Sequence, residues 1–298
     1  MMRSYPPDVL VLDRDALLHA RFGKGKKDPL LLQAKSYRIG DGAFSDAVVT
    51  PELANDAALA ETLRRMRLET GKWDKASLLL PDSWFRINIL ELQALPEKKH
   101  EADEIIRWSL KRTMPIEPST LRLTYDVLSR TTTQVRLLVV SAVDKTLSSL
   151  EKLFAASGVN IVLIEPIGLN VWNAITVHEP ATTRDRVLFY FRERDFTTAA
   201  FRGPQPLFIR SRNLSGERTL DQEIRLSASY LRDTLGAVAV ENCFVAGNRV
   251  DPTLAEAIGS EFKAPVRTLE LRDVAEQTPA GIEAYEAELA ACTGVFAG

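Results

Sequence analysis

Gly23-Lys24-Gly25-Lys26-Lys27 has the residue types of a phosphate-binding loop, with glycines that admit close backbone approach and lysines beside them. Its spacing is not that of a P-loop, and it falls between two expected strands instead of before a helix. A solvated hairpin loop accounts for it, the glycines supplying positive φ in the turn. His19, His100 and His178 have no cysteine or second histidine at ligand spacing, which argues against zinc. Cys243 and Cys292 make neither a metal-ligand spacing nor a disulfide framework, and they fit a reducing compartment. No nucleophile-elbow sequence is present, and Ser215-Gly216-Glu217 reads as a helix cap. The conspicuous side chains that remain are apolar: Trp84, Phe85 and Ile87 on one segment, Ile105 and Trp108 on another. They either pack a core or line a groove that receives a short apolar peptide.

The elements that must position these residues follow from periodicity. Asp8–Leu12, Leu17–Phe22 and Leu30–Tyr37 read as three strands, and a helix is expected over Pro51–Glu69, with Pro51 in its first turn and Gly71 past its end. Ala76–Leu80 is a buried strand stopped by Pro81-Asp82. Phe85, Ile87 and Ile89 alternate with polar residues as a half-covered strand does. Glu97–Thr113 is helical, with Ala102, Ile105, Ile106, Ser109 and Leu110 in one stripe, Trp108 at its margin and Met114-Pro115 ending it. Leu121–Val127 and Val135–Ala142 form a hairpin, Asp144 caps a helix that Gly158 terminates, and Val159–Glu165 and Ile167–Val177 are a strand and a short helix.

Past a polar linker at His178–Asp185 the opening pattern recurs. Val187–Phe191, Phe196–Phe201 and Leu207–Ser211 are three strands, followed by a helix over Glu217–Thr234. Strands at Cys243–Ala246 and Val266–Leu269 and helices near Thr253–Glu261 and Ile282–Cys292 complete the chain. Two halves that each open with three strands before a helix suggest a duplicated α/β architecture. The 298 residues suffice for two such lobes, and the 45% apolar and 26% charged composition is that of a globular protein. A formal net charge of -2 gives no electrostatic reason to expect nucleic acid. No stretch approaches the roughly 20 apolar residues of a spanning helix, so direct membrane insertion is not expected. A signal-peptide core is absent from the N-terminus, and the expected location is cytoplasmic.

LLLPDSWFRINILEL, EADEIIRWSLKRTMPIEP and LTYDVLS, taken in that order, resemble the middle of PilM-like proteins. Those are actin-like cytoplasmic components of type IV pilus machines. The likeness is specific between Leu78 and Trp172 and looser at both ends. It implies an actin-like two-lobed α/β fold: a first lobe over 1–178, carrying an inserted α+β subdomain at about 83–157, and a second lobe over 179–298. An actin-like site holds ATP and magnesium on two Asp-x-Gly turns and a glycine-rich adenosine turn. In the first turn, Leu12-Asp13-Arg14-Asp15, Asp13 is retained but Asp15 stands where glycine belongs. The second, Phe191-Arg192-Glu193-Arg194-Asp195, lacks both the Asp and the Gly, and at the adenosine turn Gly247 survives between Ala246 and Asn248. Asp15 beside a triphosphate adds like-charge repulsion and blocks close approach. Asp13, Asp15 and Gly247 are thus read as remnants of a nucleotide site in a pseudo-ATPase without catalytic residues, metal or cofactor.

The function implied is a scaffold of an inner-membrane pilus assembly complex, peripheral at its cytoplasmic face. In PilM-like proteins a groove between the inserted subdomain and the first lobe takes the cytoplasmic N-terminal segment of PilN, a single-span membrane protein. Trp84, Phe85, Ile87, Ile105 and Trp108 are the expected lining here. A cytosolic motor ATPase and a second copy of the chain are further candidate partners. The alternatives are a working ATPase of the same fold, the cytoplasmic part of a type II secretion L-like protein, and an FtsA-like division protein. The chain ends at Gly298 without a spanning helix, which favours a stand-alone component over the L-like reading. Glu283–Gly298 lacks the amphipathic membrane helix of the FtsA-like reading.

Overall fold

Continuous apolar runs such as DVLVL and RVLFYF can be buried along their whole length only in a sheet covered on both faces, and both are. A computed structural model describes residues 5–45, 51–112, 117–193, 195–213, 219–234, 236, 239–247, 250–276, 281–282 and 285–297. The first half runs β1 (Asp8–Leu12), β2 (Ala16–Gly23), β3 (Leu30–Arg38), α1 (Asp56–Thr70) and β4 (Lys75–Leu80). An insertion follows, made of β5 (Phe85–Leu92), α2 (Lys99–Lys111), β6 (Leu121–Arg130) and β7 (Val135–Val143). Then come α3 (Asp144–Ala156), β8 (Asn160–Pro166) and α4 (Ile167–His178). The second half comprises β9 (Asp185–Phe191), β10 (Asp195–Arg202), β11 (Gln205–Asn213), α5 (Leu220–Asp233), β12 (Val240–Gly247), α6 (Pro252–Phe262), β13 (Val266–Thr268) and α7 (Glu286–Gly294).

The duplication read from the sequence is a duplication of topology. One sheet has the order β3-β2-β1-β4-β8 and the other β11-β10-β9-β12-β13. Each is an antiparallel meander whose first strand then takes two parallel strands on its free side. Alternate residues of each sheet face opposite cores. Leu10, Leu12, Leu78 and Leu80 pack outward with Leu59, Leu63, Leu150 and Phe154 of α1 and α3. Val187, Phe189 and Phe191 pack outward with Ile224, Leu231 and Ile258 of α5 and α6. The inward faces, including Val9, Val11, Leu188 and Tyr190, share one core with Val171, Ile175, Leu289 and Ala290 of α4 and α7. The layers are therefore helix, sheet, helix, sheet, helix, with α4 and α7 between the two sheets.

The insertion is a three-stranded sheet of order β5-β7-β6. On one face Leu137 and Val139 pack on Ala102, Ile106 and Leu110 of α2. On the other, Phe85, Ile87, Val140 and Ala142 join the first-lobe core. The expected limit at 157 takes in α3, yet the buried face of α3 belongs to that first-lobe core.

Three local expectations are corrected. α1 starts at Asp56, capped by Asn55, because the segment around Leu53 is held in a bridge to Phe44. Asp144 is the first helical residue of α3 and does not cap it; its carboxylate accepts from Arg122 and Ser148 instead. Helix α5 starts at Leu220, where Thr219 and Gln222 form a capping box. Gly23–Lys27 joins β2 to β3 as expected, but neither glycine takes the expected positive φ. Gly25 is required instead by close packing, since a Cβ there would stand 2.0 Å from Asp28 O. The Lys27 and Asp28 N–H groups donate to Glu276. Met114-Pro115, Ser215-Gly216-Glu217 and Asn248 lie outside the described residues.

Candidate functional site

The two turns at the mouths of the meanders are built alike. Asp13 N–H donates to Ala16 O at 2.8 Å, and Arg192 N–H donates to Asp195 O at 2.8 Å. Asp13 and Arg192 therefore hold the same position in the duplicated turn, one in each half. Their side chains meet in an ion pair across the cleft, Arg192 being buried. Beside this pair, Asp195 and Thr197 of β10 also bond the first half. Ser83 Oγ donates to Asp195 Oδ2 at 2.7 Å, and Thr197 Oγ1 bonds Asp82 Oδ2 at 2.5 Å.

Asp82 is buried with Gly168 N–H donating to its Oδ1 at 2.8 Å. A Cβ on Gly168 would stand 2.2 Å from Asp82 Oδ2, so glycine at the start of α4 is what admits the carboxylate. Burial pushes the Asp82 carboxyl up to about 6; the Thr197 and Gly168 hydrogen bonds oppose the rise, Asp195 adds to it, and Arg192 opposes it. Burial likewise raises Asp195 and Glu288, in both cases against the pull of Arg192. Beside this cluster a pocket of about 380 Å³ lies between Gly247, α6 and α7, with Asp251, Glu270, Glu286 and Glu288 in its lining.

A larger groove of about 670 Å³ runs between the insertion and the first lobe. One wall is the insertion sheet, with Thr124, Asp126, Leu138 and Val140; the other is β8, Ile161 to Glu165, with Leu169, Trp172 and Val177 of α4. Phe201, Pro204 and Pro206 from the β10–β11 hairpin reach in from the second half. Strand β8 is an edge strand, paired with β4 on one side and carrying no strand on the other among the described residues. Its apolar run is correspondingly half exposed, and Val162, unpaired at a register shift, is 45% exposed. Strand β6 is likewise an edge of its sheet. Asp126 and Glu165 bring carboxylates to the groove, the Glu165 carboxyl raised chiefly by burial and further by Asp126.

No family model matches the chain, and no curated protein matches it. Solved structures match it in fold. The PilM-PilN type IV pilus biogenesis complex matches with a TM-score of 0.80 at 18% identity, over 96% of this chain and 96% of that chain. A Bacteroides thetaiotaomicron protein with an actin-like ATPase fold matches at TM-score 0.55 and 10% identity, over 96% and 94%. The cytoplasmic domain of EpsL, an inner membrane component of the type II secretion system of Vibrio cholerae, matches at 0.54 and 8%, over 98% and 94%. The chain has the actin-like fold. The expected fold class and the fold-level resemblance to PilM are borne out.

On that fold the expected residues separate. Asp13 is in the cleft, Asp15 is exposed on the turn, and Gly247 ends β12. Gly247 has a sheet role of its own: at φ +120° a Cβ there would stand 1.7 Å from Phe191 O, so its survival does not require a nucleotide. Of the five apolar candidates, Phe85 lines the groove. Trp84 is buried against Phe44 in the first-lobe core, and Ile87 packs on the same core. Ile105 and Trp108 are exposed on α2, which covers the opposite face of the insertion sheet; neither lines the groove. This corrects the expectation that all five share one surface.

In the sequence Arg192 shows only as a departure from a turn motif, and no pattern marks Asp82, Thr197 or Val162 as functional. The signal available was the pairing of a cation with a retained carboxylate at equivalent turn positions. Among the described residues no group of three His, Cys, Asp or Glu side chains is arranged to hold a metal ion. Among them, too, no helix is long and apolar enough to cross a membrane.

Proposed function

We propose that this protein is a non-catalytic scaffold of an inner-membrane type IV pilus assembly complex. Its groove receives the cytoplasmic N-terminal segment of a PilN-like single-span membrane protein, added as an extended strand. The observation that carries this reading is the open, half-exposed apolar edge of β8 facing the insertion sheet. An unblunted edge strand is a template for another chain, and such addition takes affinity from main-chain bonds and specificity from side-chain pockets. The fold likeness to a PilM-PilN complex supports the choice of partner. On this reading the protein sits at the cytoplasmic face of the inner membrane and passes conformational coupling to a cytosolic motor ATPase.

The cleft residues do not fit ATP and magnesium, which supports reading the protein as a pseudo-ATPase. The retained Asp13 carboxylate is engaged by Arg192, Asp15 adds charge at the first turn, and the pocket beside Gly247 is lined by carboxylates that repel phosphate. The likeness to the EpsL cytoplasmic domain favours a second reading, a type II secretion L-like component with the same groove.

The test is calorimetric titration with a synthetic peptide of the segment that precedes the span in a PilN-like protein. Saturable binding is expected, weakened about tenfold or more by Val162→Lys, since a lysine blunts a strand edge. The variant should melt as the parent does, because substitutions at such exposed positions change stability by about 0.5 kcal/mol or less. Absence of binding, or binding indifferent to Val162→Lys, would sink the proposal.

A further inference from the structure

Strand β10 runs from the cleft to the groove, and its residues alternate between two duties. Phe196 and Ala200 enter the second-half core under α5 and α6. Asp195, Thr197, Ala199 and Phe201 face the other way, toward the first half. Asp195 accepts from Ser83, Thr197 bonds Asp82, and Phe201 stacks on Trp172 with ring centroids 3.5 Å apart and planes 3° from parallel. Beyond Phe201, Pro204 and Pro206 stand in the groove. One strand of about 25 Å, at roughly 3.3 Å per residue, thus links the two sites.

The anchor at the cleft end is the ion pair of Arg192 with Asp13. Arg192 is buried and faces Asp13, Asp195, Glu288 and Tyr190. A buried guanidinium is held in place by its partners, because leaving that charge unpaired away from water is strongly unfavourable. In an actin-like cleft the metal and phosphates lie between these two turns; here a side chain of one turn reaches the carboxylate of the other.

We infer that Arg192 is a positioning residue for the groove: its ion pair with Asp13 holds β10 against the first half and thereby seats the β10–β11 hairpin as the groove's end wall, without nucleotide. This rests on the groove being the segment site. It assigns a use to the cleft that the pilus scaffold reading leaves idle.

The test compares the parent chain with Asp13→Asn, Arg192→Ala and Arg192→Lys by hydrogen exchange and by titration with the same PilN-like peptide. Asp13→Asn keeps the size of a half-exposed side chain, so it reports even if Arg192→Ala does not fold. Faster exchange is expected in β10, in the hairpin through Leu207 and along β8, with Arg192→Lys near the parent. If the seated state falls to a tenth of the molecules, the apparent Kd rises about tenfold. Exchange confined to the turns at Asp13 and Asp195, with hairpin exchange unchanged, overturns the inference. If the parent itself does not bind the peptide, the segment-binding proposal fails, and the exchange measurement still decides whether Arg192 seats the hairpin.

Discussion

Asp82 shows what a single buried carboxylate contributes to the joint between the halves. Both its oxygens are committed, to Gly168 N–H and to the Thr197 hydroxyl, while burial holds its carboxyl up at about 6 against an ordinary 3.8. A group raised in this way favours the folded state fully below its unfolded value. That contribution is lost as pH rises from about 4 to about 6 and stays lost above. Asparagine mimics the protonated form, with Oδ1 accepting from Gly168 and Nδ2 donating to Thr197. Asp82→Asn is therefore expected to be more stable than the parent at pH 8 by about 1–3 kcal/mol, with the gap closing toward pH 4. Urea unfolding at the two pH values checks it, and a gap independent of pH assigns the titration to another group. None of this was legible in the sequence, where Pro81-Asp82 read as a strand stop. Asp13 was legible because it belongs to a turn motif. Arg192 lies 179 positions away, and its meaning appears only when the duplicated turns face each other.

At the scale of elements, spacing predicted strands well because alternation and burial are the same fact in a sheet. It was less informative about which aromatic faces what. On α2 the expected stripe took in Ile105, but the buried face is the narrower Ala102, Ile106 and Leu110, since the helix covers one small sheet. Trp84 ends a short 3-10 turn, Asp82–Trp84, that points it at Phe44, a contact that no periodicity encodes. Trp84 and Trp108 looked alike as candidates and should behave differently. Trp84→Ala, removing a side chain that is 5% exposed, is expected to cost about 3–5 kcal/mol. Trp108→Ala, at 65% exposure and stacked under Arg112, is expected to change stability by about 0.5 kcal/mol or less and to leave peptide affinity untouched. Denaturant midpoints and peptide titration of both variants measure this. A loss of affinity in Trp108→Ala would return α2 to the binding surface.

The whole molecule has the actin-like fold, and side-chain bonds tie its two halves together directly. Here Asp13–Arg192, Ser83–Asp195 and Asp82–Thr197 bridge the halves directly, and α4 and α7 pack into both sheets at once. Added anionic ligand meets carboxylates at Asp15, Asp251, Glu270 and Glu288. The expected outcome is that 1 mM Mg-ATP leaves the melting temperature where it was. A functional site with a Kd near 10 μM would instead stabilise the fold by about 2.7 kcal/mol at that concentration, a shift of roughly 2 °C or more for a chain of this size. Arg192→Ala supplies the harder version of the question. If freeing Asp13 let Mg-ATP raise the melting temperature of the variant while the parent stayed flat, the guanidinium would be excluding nucleotide from a cleft still able to hold it. If neither chain responded, the carboxylates around Gly247 and the Asp15 turn would be sufficient to exclude it by themselves.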